Sequence, residues 1–302
     1  MAKLFISYAH ADQDWVLNRL VPVLEAGGAE IVIDVRQFRA GRTVVGEMDQ
    51  WQDTADRQIL VITKDSLASD PCRHEWDRAI GRDPSFTNGV ILPIRRDDSP
   101  LPAPITLANP LHIDLRNDRD AAPWALLLQG CGADLGLPAT QWLAARDEIE
   151  RCLRVPRSVN LLVGNGSRWR PLLNHIATRP DLTMPVLDLE SPAVADRPSL
   201  LKEILHGLGS RTALPDQPKD LLVFHAEIKA RNFSRVALLH FDQAPYKFPN
   251  DVPLFAGLRH LIQTDRRLAL LIQSRTPFQT LIPRDHPLSE IDMTTVKLPA
   301  TP

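Results

Sequence analysis

The sequence predicts an α/β protein with two successive parallel-sheet units. Three observations carry that expectation. Short apolar runs of strand length alternate with stretches of helical period from one end of the chain to the other. Turn residues such as Gly27-Gly28 and the prolines clustered over 98–110 mark stops and connecting loops between them. The length of 302 residues suits two domains better than one.

In the first half, KLFIS (3–7) is a buried-strand pattern. DQDWVLNRLVPVLEAGG (12–28) has helical period, with Trp15, Leu17, Leu20, Val23 and Leu24 on the core side, and stops at the glycine pair. AEIVID (29–34) is a second strand and VRQFRAGR (35–42) a polar loop. EMDQWQDTADR (47–57) is a helix that places Trp51 in the core, and QILVIT (58–63) a third strand. A helix follows over DPCRHEWDRA (70–79). GVILPI (89–94) and LHIDL (111–115) are the fourth and fifth strands, and DAAPWALLLQGCG (120–132) is a closing helix.

The second half begins near residue 138. A helix over 140–154 leads into SVNLLVGNGSRWRPLLNHIA (158–177), which reads strand, glycine turn, helix. MPVLDL (184–189) is a strand, and 198–209 and 220–230 are helical. SRVALLHFDQA (234–244) and RRLALLIQSRT (266–276) are apolar strands with a helix over 252–263 between them. Alternation of this kind predicts parallel sheets covered by helices on both faces.

Hydrophobic residues are 44% and charged residues 24% of the chain, ordinary for a globular protein. A net charge of −2 does not indicate nucleic acid as a ligand. Cys72, Cys131 and Cys152 have no paired spacing and no Cys/His ligand cluster, so free thiols in a reducing compartment and no metal site are expected. The chain opens on KLFISY without a leader pattern, and no apolar run approaches the roughly 20 residues of a membrane span. The expected location is the cytoplasm.

Three blocks of the first half, FISYAHAD (5–12), IDVRQFRAG (33–41) and ILVITKDSLASDPCRHEW (59–76), in this order and spacing, resemble a TIR domain over residues 1–137. The resemblance implies a flavodoxin-like parallel sheet of five strands. It also implies a loop after the second strand, about 34–46, that contributes to self-association and to the substrate cleft. Many members cleave NAD at the nicotinamide–ribose bond, with a glutamate on the helix after the third strand in a pattern like S-x-W-C-x-x-E. Here SDPCRHE keeps Ser69, Cys72 and Glu75, while Pro71 stands in the tryptophan position.

The residues support that comparison in their own terms. At about 100° per residue, Cys72, Trp76, Ala79 and Ile80 share one helix face, with Glu75 at its edge. Nicotinamide leaves NAD as a neutral ring and needs no general acid. The ribose carbon becomes oxocarbenium-like, and a nearby carboxylate stabilises it. No metal and no cofactor is required, and NAD is the substrate. Two readings of Glu75 stay open here: the catalytic carboxylate, or a solvated glutamate paired with Arg73 or Arg78. Tyr8 after the first strand lines the cleft or packs. Ser7 and His10 are further substrate-binding candidates, as are Cys72 and, in the loop, Phe38 and Arg39.

In residues 138–302, Gly164 and Gly166 sit where a phosphate loop would be, but no Gly-Lys-Ser/Thr follows. VALLHFDQA places Asp242 in the acidic position of a Walker B strand without a following glutamate. The order resembles a degenerate, inactive STAND-like P-loop domain. That resemblance implies sensing or assembly, through a partner that clusters the TIR domains, rather than ATP hydrolysis. The expected whole is an NAD glycohydrolase effector of bacterial antiphage defence. Self-association activates it, and its products are nicotinamide with ADP-ribose or a cyclic ADP-ribose. The alternative is a non-catalytic TIR interaction module.

Overall fold

The computed structural model describes residues 2–33, 50–108, 110–249, 251–282, 284–289 and 291–300. The expected loop after the second strand, with Phe38 and Arg39, lies outside these residues, as do the first residues of the helix expected over 47–57. Two compact units divide the chain, 1–143 and 144–302, with the boundary inside the helix Ala139–Arg154.

The first unit holds five strands: β1 Lys3–Ser7, β2 Glu30–Val32, β3 Arg57–Ile62, β4 Ile91–Arg95 and β5 Ile113–Asp114. Their order is β2-β1-β3-β4-β5, and every pair is parallel. This is the flavodoxin-like order, as expected, with its switch point between β1 and β3. β3 is buried along Gln58–Ile62, which explains its unbroken apolar run. Beneath Glu75 and its neighbours, Leu60, Ile62, Cys72, Trp76, Ala79, Ile91 and Ile105 form one apolar cluster.

The helical run after β1 covers 10–26 and passes through a π turn at Val16–Leu20. Pro22 has no N–H to donate, and the π bond from Val21 N–H to Val16 O lies just before it. The turn changes the phase of the helix: Val16 is fully buried, and Leu17 and Trp15 are only half-buried. Two short helices, Lys64–Ala68 and Ala103–Ala108, were not evident in the sequence. The first is started by a reciprocal Thr63/Ser66 capping box, and the second sits within the proline-rich stretch expected to be only loop. The helix expected to reach Arg57 ends at 54, because Arg57 opens β3.

The second unit also has five strands: β6 Ser158–Val163, β7 Val186–Asp188, β8 Ser234–Leu239, β9 Leu268–Ser274 and β10 Met293–Leu298. The order is β10-β6-β9-β8-β7, all parallel. β10 escapes the sequence pattern because it is an edge strand in which Thr295 and Lys297 face solvent and only Val296 and Leu298 are buried. Its helices seal a core around Leu201, Phe224, Leu238, Phe241 and Leu270. Arg197 joins two of them, donating to both oxygens of the fully buried Asp220 at 2.9 and 3.1 Å and to Asp251 at 3.0 Å. No helix among the described residues is long and apolar enough to cross a membrane.

The GNG turn after β6 explains its own glycines. Gly166 has φ +74°. Gly164 donates to Leu298 O at 2.9 Å, and an added Cβ there would stand 2.6 Å from Ala300 Cα. The close backbone approach that a phosphate loop reserves for its ligand is here made by the chain after β10. Gly164→Ala is expected to destabilise the second unit by about 1–3 kcal/mol, read by urea unfolding. Asn165→Ala, at an exposed neighbour, should leave the midpoint unchanged.

Candidate functional site

Helix Asp70–Arg82 carries the site. Ser69 caps it, accepting from Cys72 N–H at 3.4 Å. Pro71 falls in the first turn and is exposed, where its missing N–H breaks no intrahelical bond. The local reason for proline there is helix initiation, and the position that carries tryptophan in the family pattern turns outward.

The buried face holds Cys72, Glu75, Trp76 and Ala79. Trp76 is seated by its indole N–H, which donates to Ser7 Oγ at 3.0 Å, at the carboxyl end of β1. Glu75 is 6% exposed, so it is a buried carboxylate rather than an edge residue in water. Arg78 turns to Asp53 at 2.5 Å and Arg73 to Asp70 at 3.7 Å, both exposed pairs. Gln52 fixes the backbone under Glu75: its buried Nε2 donates to Glu75 O at 2.7 Å and to Gln58 Oε1 at 2.7 Å. Arg82 donates to Gln52 O at 2.7 Å, tying the helix end to the same turn. Gln52 and Gln58 were not singled out in the sequence. Gln58 ahead of the apolar run Ile59–Ile62 was the one available signal.

Burial raises the Cys72 thiol, Glu75 and Asp12 push the same way, and the Ser69 and Ser7 hydroxyls oppose them. Ser7, Ser69, Cys72, Glu75 and Asp12 thus share one neighbourhood at the carboxyl edge of β1 and β3. Cys72 is a protonated packing thiol there, not a nucleophile. Burial also raises Asp12, against the Thr63 hydroxyl that donates to it at 2.7 Å. Tyr8 is half-buried just past β1, while His10 is exposed at the start of the next helical run. Trp51 packs partly buried against Phe5, Val32 and Ala55.

In the second unit, Asp242 does not stand at a strand end as an ATPase acid would. Its carboxylate accepts the Arg275 and Thr276 backbone N–H groups at 2.8 and 2.9 Å and clasps the loop after β9. The residue at the end of β8 is His240.

Residues 4–128 match the family model for the TIR domain, and the N-terminal unit is a TIR domain. Toll-like receptor 6 of Bos taurus is 32% identical over 71 residues, 24% of this chain and 9% of that protein. Toll-like receptor 1 of Homo sapiens is 32% identical over the same length, again covering 9% of the relative. Among solved structures, the TIR domain of the Toll-related receptor TRR-2 from Hydra magnipapillata aligns with 44% of this chain and 99% of that chain. Its identity is 20% and its TM-score 0.39. Drosophila ORC bound to DNA aligns with 53% of this chain and 91% of that chain, at 16% identity and TM-score 0.42. A Walker-type ATPase of Pyrococcus abyssi covers 52% of each, at 13% identity and TM-score 0.36. At such scores these likenesses carry no weight for function; strand order and register define both folds.

Gln52→Ala removes two buried bonds and leaves Glu75 O without that donor. Equilibrium unfolding should show a loss of about 1–3 kcal/mol. The Cys72 thiol should resist iodoacetamide in the native protein at pH 8 and react freely in denaturant. Because its folded-state pKa is raised above the ordinary 9.0, its contribution to stability is complete below that pH and falls as pH rises beyond it.

Proposed function

We propose that the TIR domain, taken as residues 1–137, is an NAD glycohydrolase in which Glu75 is the catalytic carboxylate. The observation that supports this reading most is the burial of Glu75, 6% exposed on the helix that follows β3. A carboxylate taken out of water is costly, and helix surfaces carry glutamate without that cost. In the proposed reaction the bond between nicotinamide nitrogen and ribose C1′ breaks, and its electron pair stays with the neutral ring. Glu75 faces the cationic ribose carbon, and water adds to C1′ and releases a proton. The products are nicotinamide and ADP-ribose, or a cyclic ADP-ribose when an internal nucleophile replaces water. Ser7 and Tyr8 border the cleft, with Cys72 packed behind it. His10 is a further substrate-binding candidate, and Phe38 and Arg39 would cover the substrate or contact a neighbouring subunit. NAD is the substrate, and no cofactor takes part.

Activity then depends on self-association of TIR domains in the cytoplasm. Residues 138–302 serve as the inactive P-loop-like part that receives a partner or ligand and clusters the effectors. Depletion of NAD in an infected bacterial cell is the defence role that fits. A second reading is a non-catalytic TIR association module. Pro71, exposed where the family pattern has tryptophan, favours it.

Purified chain at high concentration, with and without a crowding agent, is expected to release nicotinamide from NAD. Glu75→Gln, which keeps shape and removes charge, is expected to lower the rate at least ~100-fold with the fold intact by circular dichroism. A wild-type chain that self-associates yet releases no nicotinamide, even when forced to oligomerise by a fused tag, identifies the association module instead.

A further inference from the structure

We infer that the second unit holds a binding site for a divalent transition cation of the zinc type, built from Asp188, Glu190 and His240. Asp188 ends β7 and His240 follows β8, the strand beside it, so both ligands stand at the carboxyl edge of one parallel sheet. Ligand atoms of the three residues all lie within 4.8 Å of one another. His240 Nδ1 is 2.6 Å from Asp188 Oδ1 and 3.5 Å from Glu190 Oε2. Bonds of about 2.0–2.2 Å to one ion need only small side-chain shifts from these separations.

The surroundings prepare the imidazole. Trp169 meets the His240 ring edge-on, with centroids 5.7 Å apart, and fixes its plane. Arg170 lies 3.8 Å from Asp188 Oδ2, on the oxygen that does not touch His240. The His240 side chain is 10% exposed while Glu190 is 57% exposed, so the site has an inner wall and an open entrance.

Gln273 is fully buried, and its Oε1 accepts the His240 N–H at 2.8 Å, which holds the turn that carries the imidazole. One imidazole with two carboxylates selects zinc-like ions over magnesium, which prefers an all-oxygen octahedron. The site is thus distinct from the magnesium chemistry of a phosphate loop, whose lysine and Ser/Thr this chain lacks.

The test is calorimetric titration of the chelator-dialysed full chain with Zn2+, and separately with Mg2+. Wild type is expected to bind one Zn2+ saturably and to give no saturable heat with Mg2+. Glu190→Gln, at an exposed side chain, is expected to weaken Zn2+ at least tenfold. His240→Asn, which tolerates the left-handed φ of +51°, should do the same, with melting curves of both variants checking the fold. Co2+ loaded in place of Zn2+ should give visible bands that Glu190→Gln alters. No saturable Zn2+ binding by wild type overturns the inference. So does binding that Glu190→Gln leaves unchanged, which would place the ion elsewhere, for instance on thiols.

Discussion

The first unit depends on how helix Asp70–Arg82 is seated against its sheet. Trp76 and Cys72 supply apolar area, and the indole N–H reaches Ser7 at 3.0 Å, so the helix is held at one rotation about its axis. With that rotation fixed, Glu75 must share the buried face, and the Gln52 amide fixes its height by bonding the Glu75 carbonyl. A one-residue change in helix phase would put Trp76 in water and Glu75 elsewhere.

The second unit repeats the architecture with different edge chemistry. In both sheets every strand is parallel, so the strand ends converge on one rim and the residues just past them face the same space. In the first unit that rim carries Ser7 and Thr63. In the second it gathers Asp188, His240 and Gln273, while the glycine turn after β6 packs against the chain's own residues 299–300. Asp242, the acid that looked best placed in the sequence, caps loop amides instead. The second unit is thus a parallel sheet of strand–helix units whose glycine turn is engaged by the chain itself.

The strands were legible because parallel sheets buried on both faces need continuous apolar runs, and β1, β3, β6, β8 and β9 have them. β10 was not, because an edge strand needs only one apolar side. The phase of the first helix was misjudged by a residue at Leu17 and Val16, since a π turn cannot be seen in a 3.6-residue period. Of the candidate site, the position of Glu75 on its helix was legible, as was its nearness to Cys72. Its burial was not, because that depends on Gln52 and Ser7, which come from distant parts of the chain.

The sequence by itself determined what is local: the alternation of most strands and helices, the stop at Gly27-Gly28, and the three blocks that resemble a TIR domain. These follow from periodicity and backbone preference, which act over a few residues. Only the tertiary structure decided which polar groups meet. His240 and Asp188 are 52 residues apart in sequence, and Gln52 and Glu75 are 23 apart. Parallel pairing carries no short-range signature of such contacts. They arise because right-handed crossovers return each strand end to the same rim of its sheet.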